Sequence, residues 1–406
     1  MSERFTPSRP EELAEILRWA AADAVPLAVT GSGSKAGIGA PVTAEHELSL
    51  AGFDRIQDYE PDELVLTAGA GTPLAEVEAL LARHRQQFAF EPPDMTGIGR
   101  AMADAAAPRA GTLGGLVAAN LSGPRRFAAG AARDHCIGLR AVSGRGECFK
   151  SGGRVVKNVT GFDLPKLLSG SWGTLAALWE VTLKVVPAPE CARSLALCGL
   201  EAADGVRAMT AALSSVHMVS GAAHLPAPVA ARCGRGAATG AALTLLRVEG
   251  PEPSVRHRLA GLQTLLGGDS LRLGAAASGV LWRAIGDLAP LPADDERALW
   301  RISLPPAAAP RVLAALLRQA PCDWLFDQGG GLLWLSCPVE TPAEQVRAAL
   351  ATCGGHATLW RARADHRARV AVFQPQPPAL AALSRRVKRS FDPLGILNPG
   401  RMYPDI

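Results

Sequence analysis

The chain has 406 residues, of which 48% are hydrophobic and 20% charged, and its formal net charge is +4. This composition is typical of a globular protein long enough for two or three domains. Because no long lysine or arginine tract occurs, the mild positive charge disfavours nucleic acid as a partner. The eight cysteines show no Cys-x-x-Cys spacing, which predicts reduced thiols and no metal site.

The sequence also indicates where the protein works. Its beginning lacks a basic segment followed by an apolar one, and no uncharged apolar run reaches the roughly 18–20 residues of a membrane-spanning helix. We therefore expect a cytoplasmic protein, which could associate with the inner face of the cell membrane through a partner.

The first third of the chain alternates predicted helices with short apolar strands. A proline followed by two glutamates predicts a helix over 10–22. Another helix is predicted from 71 to about 85, with Thr72 as its N-cap and Pro73 in its first turn. The predicted strands cover 25–30, 48–56 and 63–68. This alternation favours an α/β sheet with functional loops at strand ends.

The glycine-rich motifs end near Pro187, where a second domain is predicted. It contains apolar strands and Ala/Leu/Arg helices but no recognisable chemical motif. A proline-containing linker at 374–378 then leads into a helix over 379–391 and a turn-rich, ordered tail. The second-domain strands are predicted over 242–248, 331–335 and 358–361, and the helices over 312–319 and 343–351.

The first glycine motif, Gly-Ser-Gly-Ser-Lys-Ala-Gly, begins at Gly31 directly after a predicted strand. Consecutive backbone N–H groups in such a loop can surround phosphate oxygens, with Ser32 and Ser34 as hydroxyl donors. The motif lacks the ending of a P-loop and does not match the dinucleotide fingerprint. A plain surface loop is the alternative.

The second motif is Gly-Thr-Leu-Gly-Gly-Leu-Val-Ala-Ala-Asn-Leu-Ser-Gly. Gly114 and Gly115 could form a wall without side chains, against which a flat ring could lie. Thr112, Asn120 and Ser122 could supply its polar contacts. The alternative is a helix packed tightly through its glycines.

The third motif, Gly-Gly-Arg-Val-Val-Lys-Asn-Val-Thr-Gly-Phe-Asp, places Lys157, Asn158 and Asp163 around the end of an apolar strand. Lys157 could stabilise negative charge on an electron-accepting ring. A structural salt bridge between Lys157 and Asp163 is the alternative.

Together these segments resemble the FAD-binding domain of the vanillyl-alcohol oxidase/PCMH flavoprotein superfamily and, more narrowly, the FAD-binding E subunits of glycolate oxidase. The resemblance covers about residues 5–190 and 375–406. It rests on the three motifs together with Phe-Glu-Pro-Pro-Asp at 90–94, Gly-Pro-Arg-Arg at 123–126, Arg133-Asp134, and Asp-Pro-x-Gly-Ile-Leu-Asn-Pro-Gly-Arg at 392–401.

The resemblance implies an α+β fold. A PCMH-type FAD-binding domain of two α/β subdomains would occupy residues 1–189, and a smaller α+β cap domain with an antiparallel sheet would occupy 190–373. Residues 374–406 would return to the FAD domain. FAD is expected to be non-covalent, because the first glycine loop has no histidine that could carry it.

The resemblance also implies site residues. The pyrophosphate would lie at the first glycine loop, the ribityl and flavin portions at the second, and the adenosine end along the wall of the domain. No catalytic base is assigned; Lys157 and Arg133 are the catalytic candidates. Arg126 or Arg133 could clamp a carboxylate, and could equally bind the flavin phosphate or a partner subunit. The expected cofactor contacts are Gly31, Ser32, Gly33, Ser34, Lys35, Pro93, Thr112, Gly114, Gly115, Asn120, Ser122, Gly123, Gly130, Asp134, Lys157, Asn158, Glu180, Val181 and Asn398.

The implied activity is oxidation of glycolate to glyoxylate, with hydride moving from the substrate C2 to the flavin. A larger homologous flavin subunit and an iron–sulfur subunit would be the partners that carry electrons to the acceptor. The chain lacks the His-x-Gly-Asp-Gly-Asn motif of catalytic 2-hydroxy-acid dehydrogenases. Two alternatives therefore stay open: a non-catalytic flavin-binding scaffold, or a stand-alone FAD-dependent 2-hydroxy-acid or alcohol oxidase.

Overall fold

The computed structural model describes residues 3–95, 111–154, 161–233 and 240–406. The described residues form two compact units. The first unit falls within Met1–Ser122, Gly130–Ala188 and Arg367–Ile406, and the second within Gly123–Ala129 and Pro189–His366. The predicted boundaries at 189/190 and 373/374 differ from these by one and by seven residues, and the predicted division did not separate the short segment 123–129 from the first domain.

The first unit opens with a small parallel sheet in the order β1–β3–β2. Helix α1 follows β1 and begins at a proline, whose missing N–H costs nothing in a first turn. The C-terminal tail joins this sheet through a parallel bridge between Leu397 and Leu27. The elements are β1 (Arg4–Phe5), α1 (Pro10–Ala22), β2 (Leu27–Thr30) and β3 (His46–Ser49).

A five-stranded antiparallel sheet forms the rest of the first unit, in the order β4–β5–β9–β7–β8. A two-stranded ribbon of β6 and β10 accompanies it. The strands are β4 (Ile56–Glu60), β5 (Val65–Gly69), β6 (Gln86–Gln87), β7 (Cys136–Ser143), β8 (Cys148–Gly152), β9 (Ala176–Lys184) and β10 (Val186–Pro187). The helices are α2 (Leu74–Arg83), α3 (Leu113–Ala118), α5 (Ala132–His135), α6 (Leu164–Leu168) and α14 (Pro378–Phe391).

One apolar core joins the two ends of the chain within this unit. Leu13 and Leu17 of α1 pack with Ile396 and Leu397 of the tail, and all four are almost completely buried. Burial of such side chains stabilises the fold by about 1.5–3 kcal/mol each. The tail is therefore fixed beside β2, where its polar residues can take part in a site.

The second unit is built on an eight-stranded antiparallel sheet in the order β14–β11–β13–β12–β16–β17–β15–β18. Its strands are β11 (Cys191–Cys198), β12 (Gly221–Leu225), β13 (Leu243–Gly250), β14 (Ser270–Leu273), β15 (Arg297–Ser303), β16 (Asp323–Asp327), β17 (Leu332–Pro338) and β18 (His356–Arg361). Its helices are α4 (Arg126–Ala129), α7 (Ala202–Leu213), α8 (Ala227–Ala231), α9 (Glu252–Leu266), α10 (Ala275–Gly286), α11 (Ala309–Leu317) and α12 (Ala343–Ala348), and α13 (Ala364–Arg369) spans the unit boundary.

The mixed α+β fold and the antiparallel sheet of the second unit confirm the predicted fold class. The predicted helix over 10–22 has the same bounds as α1. In the described part of the chain, none of the helices has the length and apolar character of a membrane span. The same described residues hold no group of side chains suited to a metal ion.

Two local predictions were wrong. The strand predicted over 48–56 ends at Ser49, whose hydroxyl caps a 3-10 turn by accepting from the N–H of Ala51. Thr72 does not cap α2, because its hydroxyl donates to the carbonyl of Arg55 at 3.4 Å and Pro73 takes the N-cap position. Both differences come from contacts that a local sequence pattern does not contain.

Candidate functional site

A cleft in the first unit collects several of the glycine-rich segments. The loop after β2, the start of α3, the turn before β9 and the C-terminal tail line it around about 760 Å³ of empty space, part of which is open to solvent. That size is within the range of cofactor sites. The predicted site residues that line it are Gly31, Ser32, Gly33, Ser34, Lys35, Thr112, Gly114, Gly115 and Asn398.

Gly31 brings the first glycine loop against the start of α3. A Cβ at this position would overlap the hydroxyl oxygen of Thr112. That hydroxyl is fixed, because it accepts from the N–H of Gly115 at 3.2 Å and caps α3. Gly33 has a φ of +78°, which also favours glycine. At the cleft, the backbone of the first glycine motif therefore lies against the Thr112 side chain of the second motif.

Gly114 and Gly115 have different roles in the structure. A Cβ on Gly114 would lie 2.5 Å from the Cβ of Ala70, and the Gly114 N–H donates to the carbonyl of Ala70 at 2.7 Å. A Cβ on Gly115 would lie 3.1 Å from Thr112 Oγ1 and 3.4 Å from Lys35 Nζ. Tight helix packing, the alternative for this motif, accounts for Gly114, whereas Gly115 allows the Lys35 ammonium to lie close to the start of α3.

Two cations lie next to each other at the cleft. Lys35 Nζ is 3.1 Å from Ser34 Oγ, and the Lys35 carbonyl accepts from the guanidinium of Arg401 at 2.7 Å. Burial lowers the pKa of Lys35 from 10.5 to about 8; Asp94 opposes this shift and Arg401 adds to it. Burial also lowers the pKa of Arg401 to about 10, with a further contribution from Arg367. Such a pair favours an anionic ligand.

Trp172 and Arg401 form a part of the cleft that sequence reasoning missed. The Arg401 guanidinium carbon lies 5.7 Å from the ring centre of Trp172, which is a cation–π distance. Trp172 has a φ of +55°, unusual for a bulky residue, and Gly173 follows it with a φ of +71°. The Trp-Gly pair and the Asn-Pro-Gly-Arg tail were visible signals, but nothing local indicated that they would meet.

Asn398 lines the cleft, and its amide is committed to the fold. Its Oδ1 accepts from the N–H of Val29 at 2.8 Å, and its Nδ2 donates to the carbonyls of Trp172 at 2.8 Å and Val29 at 3.3 Å. The side chain is buried. Asn398 thus holds the end of β2 and the Trp172 turn at a fixed distance on one side of the cleft.

A buried ion pair supports the same turn from behind. Lys388 Nζ lies 2.7 Å from Asp392 Oδ2, and it donates to the carbonyls of Thr174 at 2.6 Å and Leu397 at 3.0 Å. Asp392 also accepts from the N–H groups of Ile396 and Leu397. Lys388 and Asp392 are thus both paired, and their network anchors the part of the tail that carries Asn398 and Arg401.

Several predicted contacts lie away from the lining of the cleft, in a hydrogen-bonded brace after α3. Asn120 Oδ1 accepts from the N–H of Arg133 at 3.0 Å, and Ser122 Oγ accepts from the N–H of Ala132 at 2.9 Å. Asp134 accepts from the N–H of Ala131 at 2.8 Å, next to Gly130. The carboxylate of Asp134 also lies 3.6 Å from the exposed Arg133 side chain.

The remaining predicted residues are dispersed. Glu180 pairs with Arg140 at 3.1 Å, and Val181 is fully buried in β9. Pro93 is buried, and Gly123 belongs to the second unit. Their cofactor roles stay predictions. Lys157 and Asn158 lie outside the described residues; Asp163, the suggested salt-bridge partner of Lys157, pairs with Lys166 at 3.0 Å.

Comparison with known proteins identifies the class. Residues 3–152 match the family model of an FAD binding domain. The 4-ethylphenol oxidase from Gulosibacter chungangensis superposes with a TM-score of 0.73 at 15% identity, over 99% of this chain and 89% of that one. An alkyldihydroxyacetonephosphate synthase superposes with a TM-score of 0.69 at 15% identity, over 98% and 75% of the two chains.

Sequence relatives narrow the class to a family. The glycolate oxidase subunit GlcE of Escherichia coli is 32% identical over 98% of both chains. The glycolate oxidase subunit GlcD of Bacillus subtilis is 31% identical, over 47% of this chain and 38% of that one. This chain belongs to the family of FAD-linked oxidoreductases that contains GlcE, and its cofactor is FAD.

The cleft fits such a cofactor by its own chemistry. FAD joins a pyrophosphate to a flat ring, and needs cations and backbone N–H groups at one part of its site and apolar walls at another. Lys35 and Arg401 supply the charge, the glycines of the lining present backbone without side chains, and Leu50, Leu178 and Trp172 supply apolar walls. The fit rests on these residues of the described chain.

Proposed function

We propose that this protein is the FAD-binding subunit of a glycolate oxidase complex and takes part in the oxidation of glycolate to glyoxylate. The observation that supports this most is the identity to Escherichia coli GlcE, which extends over 98% of both chains and therefore includes the second unit. A relationship confined to the flavin domain would have ended near residue 190.

In this proposal the first glycine loop, from Gly31 to Lys35, holds the FAD pyrophosphate without a covalent bond, and Arg401 contributes charge from the tail. Thr112 and Gly115 flank the ribityl and flavin portions. Bound FAD supplies the acceptor for the hydride of the substrate. The chain itself positions the cofactor, and Asn398 and the Lys388 network hold the turn at Trp172–Thr174 in place beside the cleft.

The cofactor and the reaction are tested separately. The purified chain should be yellow and release FAD, not FMN, into an acid extract. Anaerobic glycolate should then bleach the flavin absorbance of the intact complex. A chain that stays colourless after reconstitution would refute the cofactor site, and a yellow complex that glycolate leaves unbleached would refute the substrate.

We also propose that the partners are a larger homologous flavin subunit and an iron–sulfur subunit, with electrons leaving through them and with any contact to the membrane made by them. Co-purification from the native source, followed by iron and flavin analysis, tests this assembly. Recovery of the chain alone, with hydrogen peroxide formed from glycolate, would favour a stand-alone oxidase instead.

A further inference from the structure

An unusual arginine lies in the sheet of the second unit. Arg301 of β15 is directly opposite Trp334 of β17. Its guanidinium carbon lies 6.0 Å from the ring centre of Trp334 and 5.9 Å from that of Trp360 in β18. The two rings are 5.6 Å apart at an angle of 74°. The cation therefore occupies a corner formed by two indole rings.

A β-bulge forms one side of this corner. Leu299 pairs with Arg361, but the next residue, Trp300, pairs with Leu359, so Trp360 is an extra residue in β18. Bulges redirect side chains and are frequent beside binding sites. The bulge lies at Trp360, whose indole is the second ring beside Arg301.

Arg301 has ring contacts but no acceptor. Among residues 3–95, 111–154, 161–233 and 240–406, no oxygen accepts a hydrogen bond from its guanidinium or forms an ion pair with it. A guanidinium has five N–H donors, and indole faces attract the charge without satisfying those donors. A half-buried cation without an acceptor is costly unless a ligand supplies one.

The surrounding charges define the ligand further. Burial, then the positive charge of Arg126, lowers the pKa of Arg301 to about 10, and Asp327 opposes that shift. Burial also lowers the pKa of His356, with Arg301 and Arg126 adding to the effect. Among the described residues, two arginines thus act together against one aspartate, which favours a negatively charged ligand.

We propose that Arg301, with Trp334 and Trp360, binds the carboxylate of a small organic acid. The guanidinium fork matches a carboxylate in a bidentate manner, and the two rings limit the rest of the ligand to a compact body. The site itself rests on the geometry of the second unit. That this acid is a 2-hydroxy acid such as glycolate rests on the proposed function.

Thermal unfolding of the FAD-loaded full chain tests the site. Sodium acetate and sodium glycolate should raise the unfolding temperature relative to sodium chloride at matched ionic strength, because a ligand of the folded state stabilises it. Inorganic phosphate should raise it less. A larger shift with phosphate than with both carboxylates would overturn the assigned ligand class.

Three variants locate the effect. Arg301→Met should raise the Kd for glycolate, measured by calorimetry, by about tenfold or more, and Arg301→Lys should raise it by a smaller factor because it keeps the charge but loses the fork. Arg347→Met is the matched control: Arg347 lies 5.5 Å from the ring centre of Trp300, the neighbour of Arg301 on the opposite face of β15. Unchanged affinity in both Arg301 variants, or an equal loss in the control, would overturn the proposal.

The stability of the ligand-free variant gives a second readout. Removing a cation that has no acceptor should leave the unfolding temperature unchanged or raise it, whereas a structural arginine should lower it. If acetate binds at Arg301 but glycolate fails to bleach the flavin, the carboxylate site stands and the proposed function fails.

Discussion

Each unit holds an arginine against tryptophan, but the two arginines differ in what their N–H groups contact. Arg401 lies over Trp172 and donates to the carbonyl of Lys35 at 2.7 Å. Arg301 lies between Trp334 and Trp360 and, among the described residues, donates to none. The same cation–π contact thus accompanies two situations: in the first unit a carbonyl of the chain accepts from the arginine and a loop is fixed, and in the second we propose that the acceptor is a ligand.

The largest change in the free energy of unfolding is expected for Lys388, a buried and fully paired cation of the first unit. Lys388→Met would leave the buried carboxylate of Asp392 without its counter-charge and should lower the free energy of unfolding by about 3–5 kcal/mol. Denaturant unfolding measures this loss. Arg385→Met is the control, because the exposed Arg385–Asp405 pair at 3.4 Å should contribute less than about 1 kcal/mol. Equal small losses would show that the buried network does not hold the tail.

Acid should destabilise the folded chain through a buried histidine in the second unit. His224 is 1% exposed, its Nδ1 lies 2.8 Å from Thr244 Oγ1, and burial lowers its pKa from 6.5 to about 4. Between those values the unfolded chain binds more protons than the folded one, so stability is fully present above pH 6.5 and falls toward pH 4. The loss should approach about 3 kcal/mol.

Calorimetric unfolding over that pH range measures the effect of His224. His224→Gln keeps a partner for Thr244 but cannot titrate, so its unfolding should depend less on pH than that of the unchanged chain. The same slope in both proteins would assign the acid sensitivity to other groups.

A side chain at Gly31 should lower both the stability of the fold and the retention of FAD, and the two effects can be measured separately. Gly31→Ala would place a methyl group against the hydroxyl of Thr112 and should cost about 1–3 kcal/mol of stability, with a weaker hold on FAD. Adding Thr112→Ala should recover part of the stability, because it removes the overlapping oxygen. Gly153→Ala meets nothing within 4 Å and serves as the control. FAD retention during gel filtration reports on the cleft, and an unaffected Gly31→Ala would show that the loop is more open than the structure indicates.

The smallest expected effect concerns Arg401, the paired member of the comparison. Arg401→Met removes a cation at the cleft and should raise the Kd of FAD about tenfold. Fluorescence quenching of FAD measures the Kd, with Arg385→Met as a charge-matched control. No change would mean that Arg401 only fixes the carbonyl of Lys35.

Local signals accounted for much of the fold and part of the site. The proline and glutamates at 10–12 act within one helical turn, and the bounds of α1 were predictable for that reason. The glycine loop from Gly31 to Lys35 was recognisable because its spacing and its place after a strand are local properties. Thr72 failed as a cap since its hydroxyl turned to the carbonyl of Arg55, a partner outside the local pattern.

By itself the sequence determined the glycine-rich character of the cofactor cleft, the resemblance to FAD-binding subunits and the division near residue 190. Asn398 was expected from the resemblance, but only the tertiary structure decided that Trp172 and Arg401 line the cleft and that Arg301 lies in a corner of two rings. Asn398 contacts Val29 across 369 residues of sequence, and Trp360 reaches Arg301 through a bulge in strand register. Propensity acts between neighbours in the chain, whereas a binding site depends on which distant groups packing and register bring together.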